Sequence, residues 1–499
     1  MILRTIFGKT LKLVLSIVFI FVSFPLFATN GMLMTAYSAK YAGMGGAGLA
    51  IGGTIMDLES NPAHLARIKK TTGSTAILEG GFAALIPKLY YKDSQFDDNS
   101  NSGLVYTNSR KSEPAVFPMP YGGFAQAIGD NMGWGIAFYA QGGMGAHFKN
   151  NLRNTPNRGT LNEVMSGMTG STVNLPMIGN LRQMSESTYS NFGYAKITPG
   201  FAMKFGNLSV GLGFDVGMAK MEWRWTFSDP FGMMEFPGAG YRYKSDVALG
   251  YAGKIGFVYD LSDHLSLAYA YSSGAKLNLN GKISVNAGNA DATQAGLVPV
   301  SMYLNYPERH ATGIAYNTGG DGTGLTIGFN VSYIKWASAI NTVEFKIPMP
   351  YISTPMGNKI SELAFNMKWR DQTVFALGFE YKPSKDSVAY RLGYNYGRSP
   401  VTADGINPLF PAVSEHHAST GLGFTFGGLE LDLAVEYAFP NTVKGNDMSD
   451  WDMLHAFYLT PGASTPGTQE FLAAFKNIYY NHSVKMEQIT TQVGIRYKF

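Results

Sequence analysis

Val210, Leu212, Phe214, Val216 and Met218 are large and apolar, while Gly211, Gly213, Asp215 and Gly217 between them are small or polar. Strict alternation of this kind puts every second side chain on one face of an extended strand. The pattern returns in Leu249, Tyr251, Ile255, Phe257 and Tyr259, in Val388, Tyr390, Leu392, Tyr394 and Tyr396, and in Leu431, Leu433, Val435 and Tyr437. Fourteen such segments are expected, near 73–91, 113–128, 132–145, 191–205, 208–225, 244–259, 264–280, 300–316, 324–346, 364–382, 387–398, 414–426, 429–439 and 483–499.

Strands with one greasy face suit either a water-soluble sandwich or a membrane barrel with its apolar face to lipid. The connections discriminate between them. Very short turns at Gly129–Asn131, Gly206–Asn207, Asp260–Asp263, Pro383–Asp386 and Gly427–Gly428 alternate with long ones near 92–112, 146–190, 226–243, 281–299, 347–363, 399–413 and 440–482. Short turns at one end and long loops at the other are the asymmetry of an outer-membrane barrel, and an even strand count brings both chain ends to the periplasmic side. The expected fold class is therefore all-β, a transmembrane antiparallel β-barrel of fourteen strands with an N-terminal hatch, or plug, inside its lumen.

Three regions follow. Residues 1–28 carry Arg4, Lys9 and Lys12 before an apolar run from Leu13 to Phe27, the layout of a secretory signal peptide. Residues 29–70 are the plug: Gly43, Gly45, Gly46, Gly48, Gly52 and Gly53 make the segment too yielding for a free-standing helix, and it lacks the alternation of a strand. Asn61 and Pro62 suit an N-cap and first helical position, so a short helical turn is expected over Pro62–Arg67. Residues 71–499 form the barrel and its loops.

Composition narrows the class further. The chain has 59 Gly, 29 Tyr and 32 Phe with only 15% charged residues, which fits many short strands better than a helical or α/β enzyme. The absence of Cys excludes disulfides and thiolate metal sites, and a net charge of +4 gives no argument for nucleic acid. No cofactor is expected. An enzyme would need a catalytic constellation; the nearest is His416 and His417 beside Glu415, and neither a G-x-S-x-G context nor metal-ligand spacing accompanies them.

Several motifs in order resemble one family: the Gly-rich segment leading into S-N-P-A-H-L at 60–65, M-P-Y-G-G-F-A-Q-A-I-G-D-N-M-G-W-G-I-A-F-Y at 119–139, N-Y-P-E-R-H-A-T-G-I-A-Y-N at 305–317, V-S-Y-I-K-W at 331–336, L-G-Y-N-Y-G-R-S-P-V at 392–401, and a last strand ending in Tyr497 and Phe499. The chain is similar to the FadL-type outer-membrane transporters of long-chain fatty acids and hydrocarbons. That resemblance implies a monomeric barrel in the bacterial outer membrane, capture of a hydrophobic small molecule by extracellular loops, plug rearrangement, and sideways exit into membrane lipid beside the third strand. Gly142, Gly143 and Gly145 stand where the family has an inward kink of that strand; their bland role is to begin a loop.

Candidate ligand contacts follow from residue chemistry. Met32, Leu33 and Met34 at the start of the plug, Met165 and Met168 in a long apolar loop, and Phe231, Met233, Met234 and Phe236 in another could line an adaptable greasy site or simply pack. Thr468, Phe471, Leu472, Phe475, Ile478 and Tyr479 have the spacing of a capped helix over the mouth. Alternation turns Lys254, Arg391 and Arg496 into the lumen, where each could pair with wall carboxylates or receive a fatty carboxylate. An outer-membrane adhesin or receptor, and a channel specific for aromatic hydrocarbons, are the alternative functions.

Overall fold

The computed structural model describes residues 30–97, 104–154, 160–169, 171–233, 235–285, 297–346, 352–353, 359–360, 362–445 and 478–499. The expected signal peptide at 1–28 and most of the expected helix after Thr468 lie outside the described residues. Ile478 and Tyr479, counted on that helix, instead begin a barrel strand and pair with Asp97 and Phe96.

Fourteen antiparallel strands close into a barrel. They are β1 (Ala76–Asp97), β2 (Leu104–Lys111 and Phe117–Ile128), β3 (Met132–Asn154), β4 (Gln183–Phe205), β5 (Leu208–Ser228), β6 (Glu235–Ser245 and Ala248–Asp260) and β7 (Leu265–Ser272, Ala275–Asn278 and Gly281–Val285). The second half is β8 (Leu297–Tyr306 and Arg309–Asn317), β9 (Gly324–Ile334 and Thr342–Lys346), β10 (Glu362–Asn366 and Gln372–Lys382), β11 (Ala389–Gly397), β12 (His416–Phe426), β13 (Leu429–Gly445) and β14 (Ile478–Lys498). Closure is made by β1 and β14, which pair without a register shift from Ile77↔Lys498 to Asp97↔Ile478. A closed sheet leaves no unpaired edge, which is the condition for crossing hydrocarbon with strands.

Alternation assigns the two faces. Leu212, Phe214, Tyr251, Leu392 and Ile495 are exposed on the outer wall, whereas Asp215, Lys254, Arg391, Asp432 and Arg496 are buried inside. Crossing the hydrocarbon takes about 9–11 residues of tilted strand, yet β3 and β4 have 23 residues each. The wall therefore rises far above the membrane, and 92–97, 104–112 and 235–243, expected as loops, are largely strand. Their sequences hid this because a strand standing in water needs no apolar outer face and loses the alternation.

At the other end the turns are as short as expected, with Gly206 at φ +57° and Gly427 at φ +59° supplying the left-handed residue that two-residue hairpins require. The two rims thus differ in kind. With the long-loop rim outside, epitope tags inserted near Asn154 and Gly445 should label on intact cells and a tag at Gly428 should stay silent; labelling only at Gly428 would reverse the orientation.

Candidate functional site: a plugged lumen with a break in its wall

The lumen is filled by the segment from Asn30 to Thr72, which carries short helical turns α1 (Ala39–Ala42), α2 (Asp57–Ser60), a 3₁₀ turn (Pro62–Arg67) and α3 (Ile68–Thr72). Asn61 caps the 3₁₀ turn, its Oδ1 accepting from the Ala63 amide at 3.1 Å, while its Nδ2 donates to the wall carbonyl of Phe257 at 3.1 Å. Irregular backbone inside a barrel must find its hydrogen bonds on the wall. The Gly45 amide donates to Ser419 Oγ at 2.9 Å, Asn395 Nδ2 to the Gly45 carbonyl at 3.1 Å, and Asn330 Nδ2 to the Gly46 carbonyl at 3.0 Å. Gln492 Nε2 reaches the Ala36 carbonyl at 3.1 Å, and the Ile55 amide donates to Glu79 Oε2 at 2.9 Å.

The wall is glycine where the plug touches it. A Cβ at Gly393 would lie 2.0 Å from the Gly45 nitrogen, at Gly378 2.4 Å from the Met44 oxygen, at Gly328 2.3 Å from the Ala47 oxygen, and at Gly133 2.0 Å from the Leu65 oxygen. The small residues that alternate with large lipid-facing ones are thus a seat for plug backbone. Gly43 itself meets Gly421, with a Cβ there 3.0 Å from the Gly421 Cα. At the base of the plug, Arg67 Nη2 donates to Asp260 Oδ1 at 2.6 Å and Arg67 Nη1 lies 3.0 Å from His64 Nδ1, whose Nε2 is 2.9 Å from the Leu49 carbonyl. Burial, reinforced by the Arg67 guanidinium, pulls His64 down to about 3. A neutral ring fits the contacts, accepting from Arg67 at Nδ1 and donating to Leu49 from Nε2.

Lumen charges fall into two groups. Arg391 pairs with Glu380 and Asp432, each at 2.6 Å, and Arg496 with Glu79 at 2.9 Å, Glu430 at 2.5 Å and Asp432 at 3.1 Å. Both guanidinium groups are already shared among carboxylates, and breaking such buried pairs costs about 3–5 kcal/mol. The other group has a surplus of positive charge: Lys196 and Lys254 share Asp215 at 2.9 and 3.1 Å, beside Arg309, which pairs with Glu59 at 3.0 Å. Lys254 Nζ also donates to the Tyr139 hydroxyl at 2.7 Å.

Above the plug the interior is aromatic. Tyr194 meets Tyr306 with tilted rings at 4.6 Å, and Tyr306 meets Trp336 at 6.2 Å and Trp336 meets Trp369 at 5.3 Å, both edge to face. Nearer the mouth Trp223 meets Phe410 at 5.3 Å and Phe345 at 5.6 Å. The first plug residues reach into this interior. Gly31 lies against the Trp336 ring, Tyr306 donates its hydroxyl proton to the Met32 carbonyl at 3.0 Å, and Met32, Leu33 and Met34 are all buried in the apolar cluster. A cavity of about 70 Å³ opens beside Leu33, Met34, Tyr37, Met56 and Arg309.

The wall is broken next to this point. β2 and β3 pair only from Ile128↔Met132 to Tyr121↔Tyr139; above that the strands rejoin at the rim, where the Glu113 amide donates to the His147 carbonyl at 2.8 Å. In between, β2 is interrupted at 112–116, and the seven residues Ala140 to Ala146 of β3 are buried in succession instead of alternating. The register against β4 shifts between Ala140 and Gly142, leaving Gln141 as a bulge that bends the strand inward. Gly142 has φ +152°, and a Cβ there would be 1.9 Å from the Met32 oxygen. Tyr37 fixes the bulge, donating to the Gln141 carbonyl at 2.6 Å and accepting from Gln141 Nε2 at 2.6 Å.

The remaining candidates are distributed. Met165, on helix α4 (Leu161–Thr169), is buried in the cluster, while the Met168 side chain lies outside the described residues. Phe231 and Met233 are exposed at a loop tip, Met233 at 83%; Met234 and the Phe236 side chain lie outside the described residues. Gly143 and Gly145 are buried in the bent part of β3. His416 and His417 face opposite sides of β12, His416 against Tyr394 and Tyr396 outside and His417 against Glu436 inside, so they share no site. The connection between β11 and β12, expected as a long loop at 399–413, folds inward and buries Leu409, Phe410 and Val413, its Leu409 carbonyl accepting from Ser190 Oγ at 2.7 Å. The run L-F-P-A-V within a supposed surface loop was the available signal.

A fourteen-stranded barrel with a plug on its wall and a gap beside its third strand defines a class of outer-membrane transport protein. Residues 199–468, more than half of the chain, match the family of outer membrane transport proteins OMPP1/FadL/TodX, and the chain belongs to it. No curated protein matches the chain by sequence. Among solved structures it is similar to a Pseudomonas aeruginosa FadL homologue, with TM-score 0.65 and 15% identity over 94% of this chain and 100% of that one. It also resembles the Pseudomonas putida toluene transporter TodX, with TM-score 0.59 and 15% identity over 94% of this chain and 100% of that one, and the Ralstonia pickettii toluene transporter TbuX, with TM-score 0.57 and 13% identity over 93% and 99%.

If the glycine seat holds the plug, Gly393→Val should dislodge it while leaving the wall paired. Planar-bilayer conductance should then rise several-fold over the parent protein. Unchanged conductance in a folded barrel would mean that contact at Gly393 is dispensable for the seal.

Proposed function

We propose that the protein carries hydrophobic small molecules passively across the outer membrane, long-chain fatty acids or related lipids being the ligands its interior suits best. One observation carries this reading: the gap between β2 and β3 adjoins the aromatic lumen at the point where the plug begins. A ligand leaving sideways enters lipid and avoids exposing its chain to water, a saving of about 0.8 kcal/mol per CH₂ relative to exit into the periplasm. Loops and mouth aromatics capture the ligand, and the start of the plug, packed on Tyr306 and Trp336, shifts to admit it. The chain acts as a monomer, each barrel closing on itself, after residues 1–28 have directed export and been removed.

The buried positive surplus at Lys196 and Lys254, next to Tyr139 at the lower edge of the gap, supports an acidic ligand. Arg391 and Arg496 are poorer candidates because carboxylates of the wall already occupy them. The aromatic path through Tyr194, Tyr306 and Trp336 favours a second reading, uptake of aromatic hydrocarbons. TodX and TbuX are toluene transporters by name.

Replacing Gly142 and Gly143 with Val disfavours the positive φ at 142 and drives a side chain into the Met32 carbonyl. Uptake of radiolabelled fatty acid should fall at least about tenfold, a barrier increase of about 1.4 kcal/mol, with surface expression and ligand binding preserved. Normal uptake by a variant whose third strand is straightened and whose wall is closed would rule the side exit out. Comparing oleate with toluene in the same cells separates the two ligand readings.

A further inference from the structure

Directly above the apolar outer band of β13, β14, β1 and β2 stands a cluster of lysines. Phe82, Ile86, Phe439 and Ile489 are exposed to lipid. The next outward positions on β1 are Lys88, Tyr90 and Lys92, and the pairing of neighbours brings further lysines to the same face. Tyr90 is opposite Lys111 of β2 and Lys485 of β14; Lys92 is opposite Ser109 and Ser483; Lys485 is opposite Thr442 and Ser483 opposite Lys444 of β13. Directly opposite side chains share a face, and diagonal neighbours stand about 7–8 Å apart. Lys92 is therefore diagonal to Lys111 and Lys485, and Lys485 to Lys88 and Lys444.

The register shift between Ala438 and Asn441 is what turns Lys444 outward, since without it the even positions of β13 would face the lumen. Among the described residues this face offers two carboxylates, Glu487, which pairs with Lys88 at 3.2 Å, and Glu113 in the interruption of β2. Lys485 Nζ lies 5.3 Å from the centroid of the Tyr90 ring and pairs with no carboxylate among the described residues. Five lysines against two carboxylates repel one another unless an anion stands among them. Their height, at the upper edge of the hydrocarbon, is the level of outer-leaflet headgroups, and lysine stems packed on the apolar wall carry ammonium groups to that level.

We infer that Lys88, Lys92, Lys111, Lys444 and Lys485 form a docking site for the phosphate groups of an outer-leaflet glycolipid. The inference rests on the orientation that puts the long-loop rim outside. The site has a consequence for transport. Lys111 is the last residue of β2 before its interruption, so a docked lipid stands at the upper edge of the wall gap with its acyl chains beside the proposed exit.

The test uses the full-length barrel in detergent, with bisphosphorylated lipid A in mixed micelles as the probe and native mass spectrometry as the readout. Substituting Lys92→Gln, Lys111→Gln and Lys485→Gln together should weaken lipid A binding about 100-fold, from roughly a fivefold loss for each of the three removed charges. The corresponding triple Arg variant should bind like the parent, and dephosphorylated lipid A should bind as weakly as the Gln variant does. Equal binding by the Gln variant, equal binding of the dephosphorylated lipid, or full competition by millimolar inorganic phosphate would overturn a lipid-phosphate site. Heat-modifiable mobility on gels confirms folding, and single Lys92→Gln and Lys111→Gln variants serve if the triple does not fold. Because binding is read without membrane orientation or fatty acid, it stands or falls separately from uptake.

Discussion

The contact on which the structure depends is backbone against backbone, where the plug lies on the glycine positions of the wall. A chain segment with six glycines between Gly43 and Gly53 has little regular structure of its own, so its amides and carbonyls must be satisfied by Ser419, Asn395, Asn330, Gln492 and Glu79. Those side chains reach it only because Gly393, Gly378, Gly328 and Gly133 let the two backbones approach. The plug is thus held by many short-range contacts on several strands, which suits a part that must seal against water and still yield locally. At the base it is anchored by the ion pair of Arg67 with Asp260, while its first residues rest among aromatic and thioether side chains.

This gradient links packing to transport. Charge-paired layers built on Arg391 and Arg496 stiffen the lower lumen, where any rearrangement would strand buried charges. Gly31 to Met34 are packed among apolar side chains beside Trp336, Tyr306 and the bend at Gly142, so movement there disturbs that packing and the Tyr306 hydrogen bond without touching the buried ion pairs of Arg391 and Arg496. Low-stability segments are where gating is least costly. The interruption of β2 and the bulge at Gln141 put the wall's weakest stretch next to the plug's most yielding one.

Much of the barrel was legible because lipid imposes a simple rule. Within the hydrocarbon one face must be apolar, so Leu212, Phe214, Tyr251 and Leu392 announce their strands, and Gly206 and Gly427 their turns. Above the membrane the rule lapses, and strand segments such as Leu104–Lys111 and most of Glu235–Ser245 read as loops. The lumen was less legible. Inward glycines could be seen, but which plug atoms they admit depends on pairings more than three hundred residues apart, as between Gly45 and Gly393. Lys254, Arg391 and Arg496 could be placed inside by parity, yet parity cannot say that the two arginines meet wall carboxylates whereas Lys254 shares one with Lys196. Gly142 could be singled out only through resemblance to a family; what bars a side chain there is the Met32 carbonyl, which no local pattern encodes.

The central claim is a sideways route past the bend in β3. Photolabelling in intact outer membranes with a fatty acid bearing a diazirine near its methyl end, followed by peptide mapping, tests it most directly. The account predicts label on the facing edges of the gap, at 114–120 of β2 and 140–146 of β3, together with the first plug residues. A second cavity of about 360 Å³ opens at the turn end of the barrel beside Lys69, Lys70, Asp263 and His264. Label confined to those residues, with none on the gap edges, would show exit into the periplasm and contradict the account.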